Sequence, residues 1–475
     1  MYMSGDTICA PATTVGSGAI SVIRVSGPQA LETVGSVVTL RSGSVSEAGG
    51  YTLHFGSVPG VDDVMVSVFR APHSYTGEDA VELSCHASAF VVQRILELLV
   101  AAGARMAEPG EFTRRAFLNG KMDLAQAEAV ADLIASNSAV SHSLALRQLR
   151  GEYSGKLREL RDSLVEIAAL LELELDFSEE DVEFASRDRM LQLLDETIAR
   201  VGRLAASFRD GNALRSGVPV AIVGAPNSGK STLLNALLGE SRALVSDEPG
   251  TTRDTVEETL TLDGILYRFI DTAGIRETSA TVEKMGIERS LEKLASADLV
   301  LGVLDACSPS IEDDTRSLIE RVDPARQTLI LLRNKVDLAG GSVAGCGDGI
   351  AEGFPLLDIS ALRGTGLDEL RSRIIEIGRA RFSGSDDGMV TNLRHYEALR
   401  TALDSLNAVR ASLLGTGSGS LLGSGSAAAG SALPPDLLAE DLRAAISSLN
   451  SIFGENLIDA ETLLGHIFER FCIGK

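Results

Sequence analysis

Residues 224–235 read GAPNSGKSTLLN, and the reading of the central fold turns on them. The stretch fits G-x-x-x-x-G-K-[ST] through Gly224, Gly229, Lys230 and Ser231. Before it runs VPVAIV (218–223), β-branched and apolar enough for a buried strand. After it comes STLLNALLG, with leucines at helical spacing and Gly239 as the expected stop. Strand, glycine loop and helix N-terminus therefore stand in the order a phosphate cradle needs. The glycines let backbone N–H groups wrap an anion, and the helix end favours its charge. Lys230 is expected to reach the β and γ phosphates, and the Ser231 hydroxyl to ligate Mg²⁺. Asn227, Ser228, Gly229 and Thr232 complete the candidate phosphate contacts.

A glycine loop alone can arise by chance; four further motifs follow it in order. PGTTRD (249–254) supplies a switch threonine ahead of a hairpin, and DTAG (Asp271, Thr272, Ala273, Gly274) follows the apolar LYRFI. There the aspartate orients a magnesium shell and Gly274 can sense the γ-phosphate. NKVD (334–337) follows TLILLR. With Asn334 and Lys335 beside it, Asp337 can accept from the N1–H and exocyclic amine of guanine, groups adenine does not offer. Ser360, Ala361 and Leu362 end another strand and can back the base with a main-chain N–H. Any one of these is weak, and NKVD alone is usually a polar turn. Together they specify a GTP-hydrolysing domain.

One absence is informative. Ras-like enzymes place a glutamine directly after the DxxG glycine to position the attacking water; here that position holds Ile275. Transition-state charge must be met by something else. The Asn227 amide, with carbonyls of a switch loop, could hold a monovalent cation; equally, it could only satisfy loop backbone.

The chain has 475 residues, enough for two to four domains. Its net charge of −23 argues against a surface that binds nucleic acid everywhere, so an RNA substrate needs a local basic patch or a partner. The acidic run around ELELDFSEEDVEF (172–184) reads as a solvated face. Five scattered cysteines, without metal spacing, suit a reducing compartment. No signal peptide or membrane-length apolar run is seen, which places the chain in the cytoplasm. The closing CIGK fits a prenylation box poorly.

Residues 1–120 read as mixed α and β, with strands in AISVIRVSG, YTLHFGSV, VMVSVFRAP and AVELSCH and a helix over 87–102. From 121 to 215 the pattern becomes helical, with 124–149 as one long helix and Leu157, Leu160, Leu164, Ile167, Leu171 and Leu175 along a packed face. Residues 216–379 alternate strands and helices, with a hairpin turning at Asp263-Gly264. Helical periodicity returns over 380–475, interrupted by the low-complexity stretch 415–435. The arrangement is a helical domain interrupted by an inserted α/β domain, physically cheap because domain termini lie close together.

These stretches resemble the MnmE (TrmE) family of tRNA-modification GTPases over essentially the whole chain. Outside the nucleotide motifs the resemblance rests on DTICAPATTVGSGAISVIRVSG, YTGEDAVEL, PGEFTRRAFLNGKMDLAQAEAVADLI, VEKMGIERS and the terminal FCIGK. It implies a multidomain fold: an α+β folate-binding domain that also dimerises the protein, a helical domain, and an inserted Ras-like P-loop GTPase domain. The implied activity is potassium-stimulated GTP hydrolysis. With a flavin-dependent partner, MnmG (GidA), in a heterotetramer or larger complex, it serves C5 of the wobble uridine of certain tRNAs. The group added is carboxymethylaminomethyl or aminomethyl, drawn from formyl- or methylene-tetrahydrofolate. By the same resemblance Asn227, Ser246, Glu248 and Thr251 match potassium contacts, and Ser231 and Thr252 match magnesium ligands. Asp247, Pro249 and Gly250 lie in the same nucleotide loop. Glu283 matches the residue that orients attacking water indirectly, so that Glu283, Asn227 and Lys230 form the catalytic set. Arg24, Glu82, Lys121 and Lys475 match folate contacts; from the sequence alone all four are surface charges. Cys472 matches a family cysteine whose role is open. The Gly/Ser segment 415–435 is longer and looser than the family pattern. A GTP-switched RNA-binding ribosome-assembly factor is the alternative reading, but the GXXG RNA-binding segment it calls for after the GTPase domain is not seen.

Overall fold

Period-two alternation builds the first sheet. The computed structural model describes residues 5–14, 18–176, 187–239, 258–270, 294–339, 353–382, 389–414, 435–455, 464–465, 467–469, 471–472 and 474. Strands β1 (Ile8–Pro11), β2 (Ile20–Ser26), β3 (Thr39–Leu40), β4 (Thr52–Val58), β5 (Asp62–Phe69), β6 (Ala80–His86) and β7 (Arg105–Met106) pair in the order β3-β4-β5-β6-β2-β1-β7. Alternate residues Ile23 and Val25, Val64, Val66 and Val68, and Val81, Leu83 and Cys85 turn to one face. There they bury against Leu31 and Val34 of α1 (Ala30–Val37) and Val92, Ile95 and Leu99 of α2 (Ala89–Ala101). Arg24 and Glu82, in register across β2 and β6, belong to the opposite face by the same alternation. The short strands β1 and β7 were not legible; they pair in parallel, Ile8 with Arg105 and Cys9 with Met106.

Helices α3 (Glu111–Leu118), α4 (Leu124–Ala135), α5 (Ala139–Leu149) and α6 (Glu152–Asp176) follow. The long helix expected over 124–149 is two helices. The Ser138 hydroxyl accepts from the Ser141 N–H at 3.1 Å. A serine that bonds its own neighbouring backbone starts a new helix in preference to continuing the old one.

Helices α7 (Arg187–Ala206) and α8 (Phe208–Ser216) lead into the second sheet: β8 (Val218–Val223), β9 (Glu258–Leu262), β10 (Ile265–Phe269), β11 (Leu299–Asp305), β12 (Thr328–Asn334) and β13 (Leu356–Asp358). Its order is β13-β12-β11-β8-β10-β9. All ladders are parallel except β9–β10. That hairpin turns at Asp263 and Gly264 with φ of 50° and 77°, the positive pair a two-residue type I′ turn demands. Helices α9 (Lys230–Leu238), α10 (Ile311–Arg321) and α11 (Leu367–Phe382) cover the faces. Leu299, Leu301 and Val303 of β11 bury with α8, α9 and α11, while Val300 and Leu304 bury with α10. Leu233, Leu234, Leu237 and Leu238 of α9 are each nearly inaccessible to solvent. At about 1.5–3 kcal/mol per buried leucine, that face alone anchors the helix behind the glycine loop.

The last helices are α12 (Leu393–Leu413) and α13 (Pro435–Phe453). The latter packs along α6, where Leu157, Leu160, Leu164, Ile167 and Leu171 form the buried stripe the spacing predicts. The chain divides into two compact units, 1–135 with 145–199 and 401–475, and 136–144 with 200–400. The second is wider than the 216–379 of the sequence reading. Ala213 and Leu214 of α8 belong to its core, and the Val140 N–H donates to the Gly264 carbonyl at 3.2 Å.

Candidate nucleotide and anion-binding sites

In the second unit β8 is the strand at which the chain turns from one side of the sheet to the other, and the glycine loop leaves its carboxyl end. Open α/β sheets place their ligands at that switch point. Gly224 has φ of 156° and must be glycine, since a Cβ there would collide with the Val303 carbonyl of β11. Asn227 (φ 63°) and Gly229 (φ 99°) are left-handed, a curl that turns successive N–H groups toward one concavity. Lys230 Nζ donates to the Gly224 and Ala225 carbonyls at 2.9 and 2.8 Å, and burial lowers its pKa. The buried Ser228 hydroxyl makes no hydrogen bond among the described residues. An orphaned polar atom inside a curl of donors fits a phosphate-bearing ligand. Ser231 and Thr232 are exposed on the first turn of α9.

Asn334 ends β12 and ties the two halves of the site together. Its Nδ2 donates to the Ser228 carbonyl at 2.8 Å and its Oδ1 accepts from the Ala361 N–H at 2.9 Å. Gly229 must be glycine, since a Cβ there would run into that amide. The sequence reading had a main-chain N–H of 360–362 backing the base. The Ala361 N–H is committed to Asn334, and the Leu362 N–H makes no hydrogen bond among the described residues. Lys335 (φ 68°) reaches back to Asp305 at 2.7 Å. Burial pushes the Asp305 carboxyl up, but the Lys335 bond and the Cys307 N–H more than offset this, and its pKa is lowered. Asp337 Oδ1 accepts from the Ser360 hydroxyl at 2.7 Å and Oδ2 from Arg363 Nε at 3.3 Å. The Ser360 bond is the first cause of its lowered pKa, so the carboxylate stays an acceptor at neutral pH. Arg363 was not anticipated; only its place directly after the SAL motif hints at it. Ser246, Asp247, Glu248, Pro249, Gly250, Thr251, Thr252, Asp271, Thr272, Ala273, Gly274 and Glu283 lie outside the described residues.

In the first unit Arg24 donates through Nε to Glu82 Oε1 at 2.9 Å, and its guanidinium sits 5.3 Å from the Tyr75 ring centre and 5.6 Å from that of Phe112. Its NH1 reaches the Gly474 carbonyl at 3.4 Å, 450 residues along the chain. Gly474 lies against Pro11, too close for a Cβ, and the Gly110 N–H donates to the Cys472 carbonyl at 3.4 Å. Cys472 itself is exposed, and Lys475 lies outside the described residues. Lys121 Nζ donates to the Pro72 carbonyl at 2.9 Å, on the same 70–79 loop that carries Tyr75. Beside this cluster Glu111, its side chain fully buried, accepts from Arg105 at 2.6 Å and Arg115 at 3.2 Å, and Asp6 pairs with both arginines. Burial raises the Glu111 pKa, yet Arg105 and the Glu108 N–H outweigh it and the net shift is downward. Tyr75, Phe112 and this network were missed, since nothing local announces residues that meet across strands.

Two family models match the chain: the GTP-binding protein TrmE N-terminus over residues 7–121, and the MnmE helical domain over residues 124–472. The chain belongs to the MnmE family of tRNA modification GTPases. The tRNA modification GTPase MnmE of Bacteroides fragilis (strain YCH46) is 47% identical over 486 residues, covering 100% of both chains. That of Cytophaga hutchinsonii is 44% identical over 99% of this chain and 98% of its own. The crystal structure of the G domain of the T. maritima FeoB iron transporter is 30% identical, covers 34% of this chain and 97% of that one, and has a TM-score of 0.25. Like these tRNA modification GTPases, the chain is a GTP hydrolase acting in tRNA modification. Among the described residues no helix is long and apolar enough to cross a membrane.

Proposed function

We propose that this chain is a potassium-activated GTPase of the cytoplasm. As a homodimer, with a flavin-dependent partner of the MnmG (GidA) type, it installs an aminomethyl or carboxymethylaminomethyl group on C5 of the tRNA wobble uridine. The one-carbon unit comes from formyl- or methylene-tetrahydrofolate. In the nucleotide site Gly224 and Gly229 permit the amide curl, Asp337 reads guanine, and Lys230 leaves the loop carbonyls for the phosphates. Magnesium on Ser231 and Thr252, and potassium on Asn227, Ser246, Glu248 and Thr251, would supply the charge that Ile275 and an absent glutamine do not. Glu283 orients the attacking water indirectly. In the first unit Arg24 and Glu82 present the paired donors and acceptors that a pterin and its glutamyl tail require, with Lys121 and Lys475 as further cations.

The observation that carries the folate reading is the meeting of Arg24, Glu82 and the Gly474 carbonyl at two aromatic rings. Deleting residues 472–475 removes that carbonyl and the Cys472 contact with Gly110. Calorimetry with 5-formyl-tetrahydrofolate on the truncated chain is expected to show weakened binding, while GTP hydrolysis is unchanged. Intact folate affinity with lost GTP hydrolysis would place the tail in the wrong site.

A further inference from the structure

At the end of the second sheet opposite the glycine loop lies a cavity of about 550 Å³. Its walls come from α8, the amino-terminal ends of β8 and β12, Arg268 of β10 and the residues leading into β11. Six or so residues per strand put it roughly 20 Å from the phosphate loop, so it is separate from the nucleotide site. Its volume falls in the range of small-molecule sites, about 300–1,000 Å³.

The charge of this cavity runs against that of the chain. Acidic residues outnumber basic ones by 66 to 43 overall, yet four arginines (Arg209, Arg268, Arg321 and Arg326) line it against two aspartates. Asp298 is already paired with one of these arginines. Asp298, almost wholly buried, accepts from Arg209 at 3.1 Å on one oxygen and from Arg381 at 3.1 Å on the other. Asp323 Oδ1 accepts from the Ala325 N–H at 3.0 Å. Arg321 and Arg326 make no ion pair and no side-chain hydrogen bond among the described residues. Gln327 holds the loop between them and β12 rigid: its Nε2 donates to the Ala297 carbonyl at 2.9 Å and its Oε1 accepts from the Asp323 N–H at 3.0 Å. Two guanidinium groups without an ion-pair partner among the described residues thus stand at one concavity, and the arginine fork matches phosphate oxygens two at a time. Asn212 and Ser216 add neutral hydrogen-bonding groups on the α8 wall.

We propose that this cavity is a second anion site, taking a phosphate-bearing ligand held by Arg321 and Arg326. The phosphate can belong to a free phosphate compound or to the backbone of the tRNA on which the family acts. The proposal does not depend on the potassium or folate readings.

The test uses the full chain saturated with Mg²⁺ and GDP, so that the glycine loop is filled. Inorganic pyrophosphate is titrated calorimetrically, and tRNA binding is followed by filter retention. The doubly substituted Arg321→Ala, Arg326→Ala chain is expected to bind pyrophosphate roughly 10- to 100-fold more weakly, the loss of two charge-assisted contacts. Its GDP affinity and GTP turnover should be unchanged, which also reports that the unit is folded. Lysine at both positions should recover part of the loss. If the alanine chain also loses tRNA affinity and tRNA displaces pyrophosphate, the phosphate is the RNA's; if tRNA binding is untouched, it is a free compound's. Equal pyrophosphate binding by the wild-type and alanine chains, or none by either, together with unchanged tRNA binding, overturns the proposal.

Discussion

Asn334 holds the phosphate loop and the base-side loop in one arrangement, and its removal separates the two. The side chain is 3% exposed and makes two bonds, to the Ser228 carbonyl at 2.8 Å and from the Ala361 N–H at 2.9 Å. Asn334→Ala leaves both backbone groups without that partner in a place water reaches poorly. At about 1–2 kcal/mol for each buried bond, the total cost is about 2–4 kcal/mol. That cost divides between folding stability and nucleotide affinity, depending on how far bound GDP restores the loop. If affinity carried the lower figure alone, GDP would bind about 30-fold more weakly. Asn334→Asp keeps an acceptor for Ala361 but sets a carboxylate oxygen against the Ser228 carbonyl, so it should be no better than alanine. The assay is a fluorescent-GDP titration beside denaturant unfolding of the same preparations. The two losses together should fall within the stated range for Asn334→Ala. Affinity within about twofold of wild type for both variants, with unchanged unfolding midpoints, would refute the bridging role.

Base reading should follow Asp337. Asp337→Asn exchanges an acceptor for a donor, so competition binding should shift from GTP toward XTP; an undiminished preference for GTP counts against the assignment. Hydrolysis should depend on potassium: equal sodium is expected to leave little activity, and Asn227→Ala should cost roughly 10²–10³-fold, the scale of one lost transition-state contact. Glu283→Ala should stop turnover while GTP affinity persists, as a residue acting only on water requires; loss of both would make it structural.

What was legible followed from chemistry held within a few residues. The phosphate loop declares itself because glycine and lysine spacing, an apolar strand and a leucine-faced helix are contiguous. Asp263-Gly264 likewise carries its own turn geometry. The break at Ser138 was equally local, but the apolar pattern running past it hid the serine's preference for starting a helix. The rest depends on distance along the chain. Arg24 and Glu82 are 58 residues apart and adjacent only because β2 pairs with β6. Nothing in either residue's surroundings marks it, and family resemblance alone singled them out. Asn334 was legible as part of NKVD, while its second role, filling the space a Gly229 side chain would need, exists only once β12 lies beside β11. The pairing of Arg105 and Arg115 with buried Glu111 was not legible, because it is a property of the packed sheet edge.

The claim that joins both units is that this chain acts on wobble uridine. Mass spectrometry of bulk tRNA nucleosides from a strain lacking the gene measures it directly. The account predicts loss of the C5-aminomethyl-type uridines, restored by the wild-type chain and not by the Glu283→Ala chain. A nucleoside profile identical to that of the parent strain would contradict it.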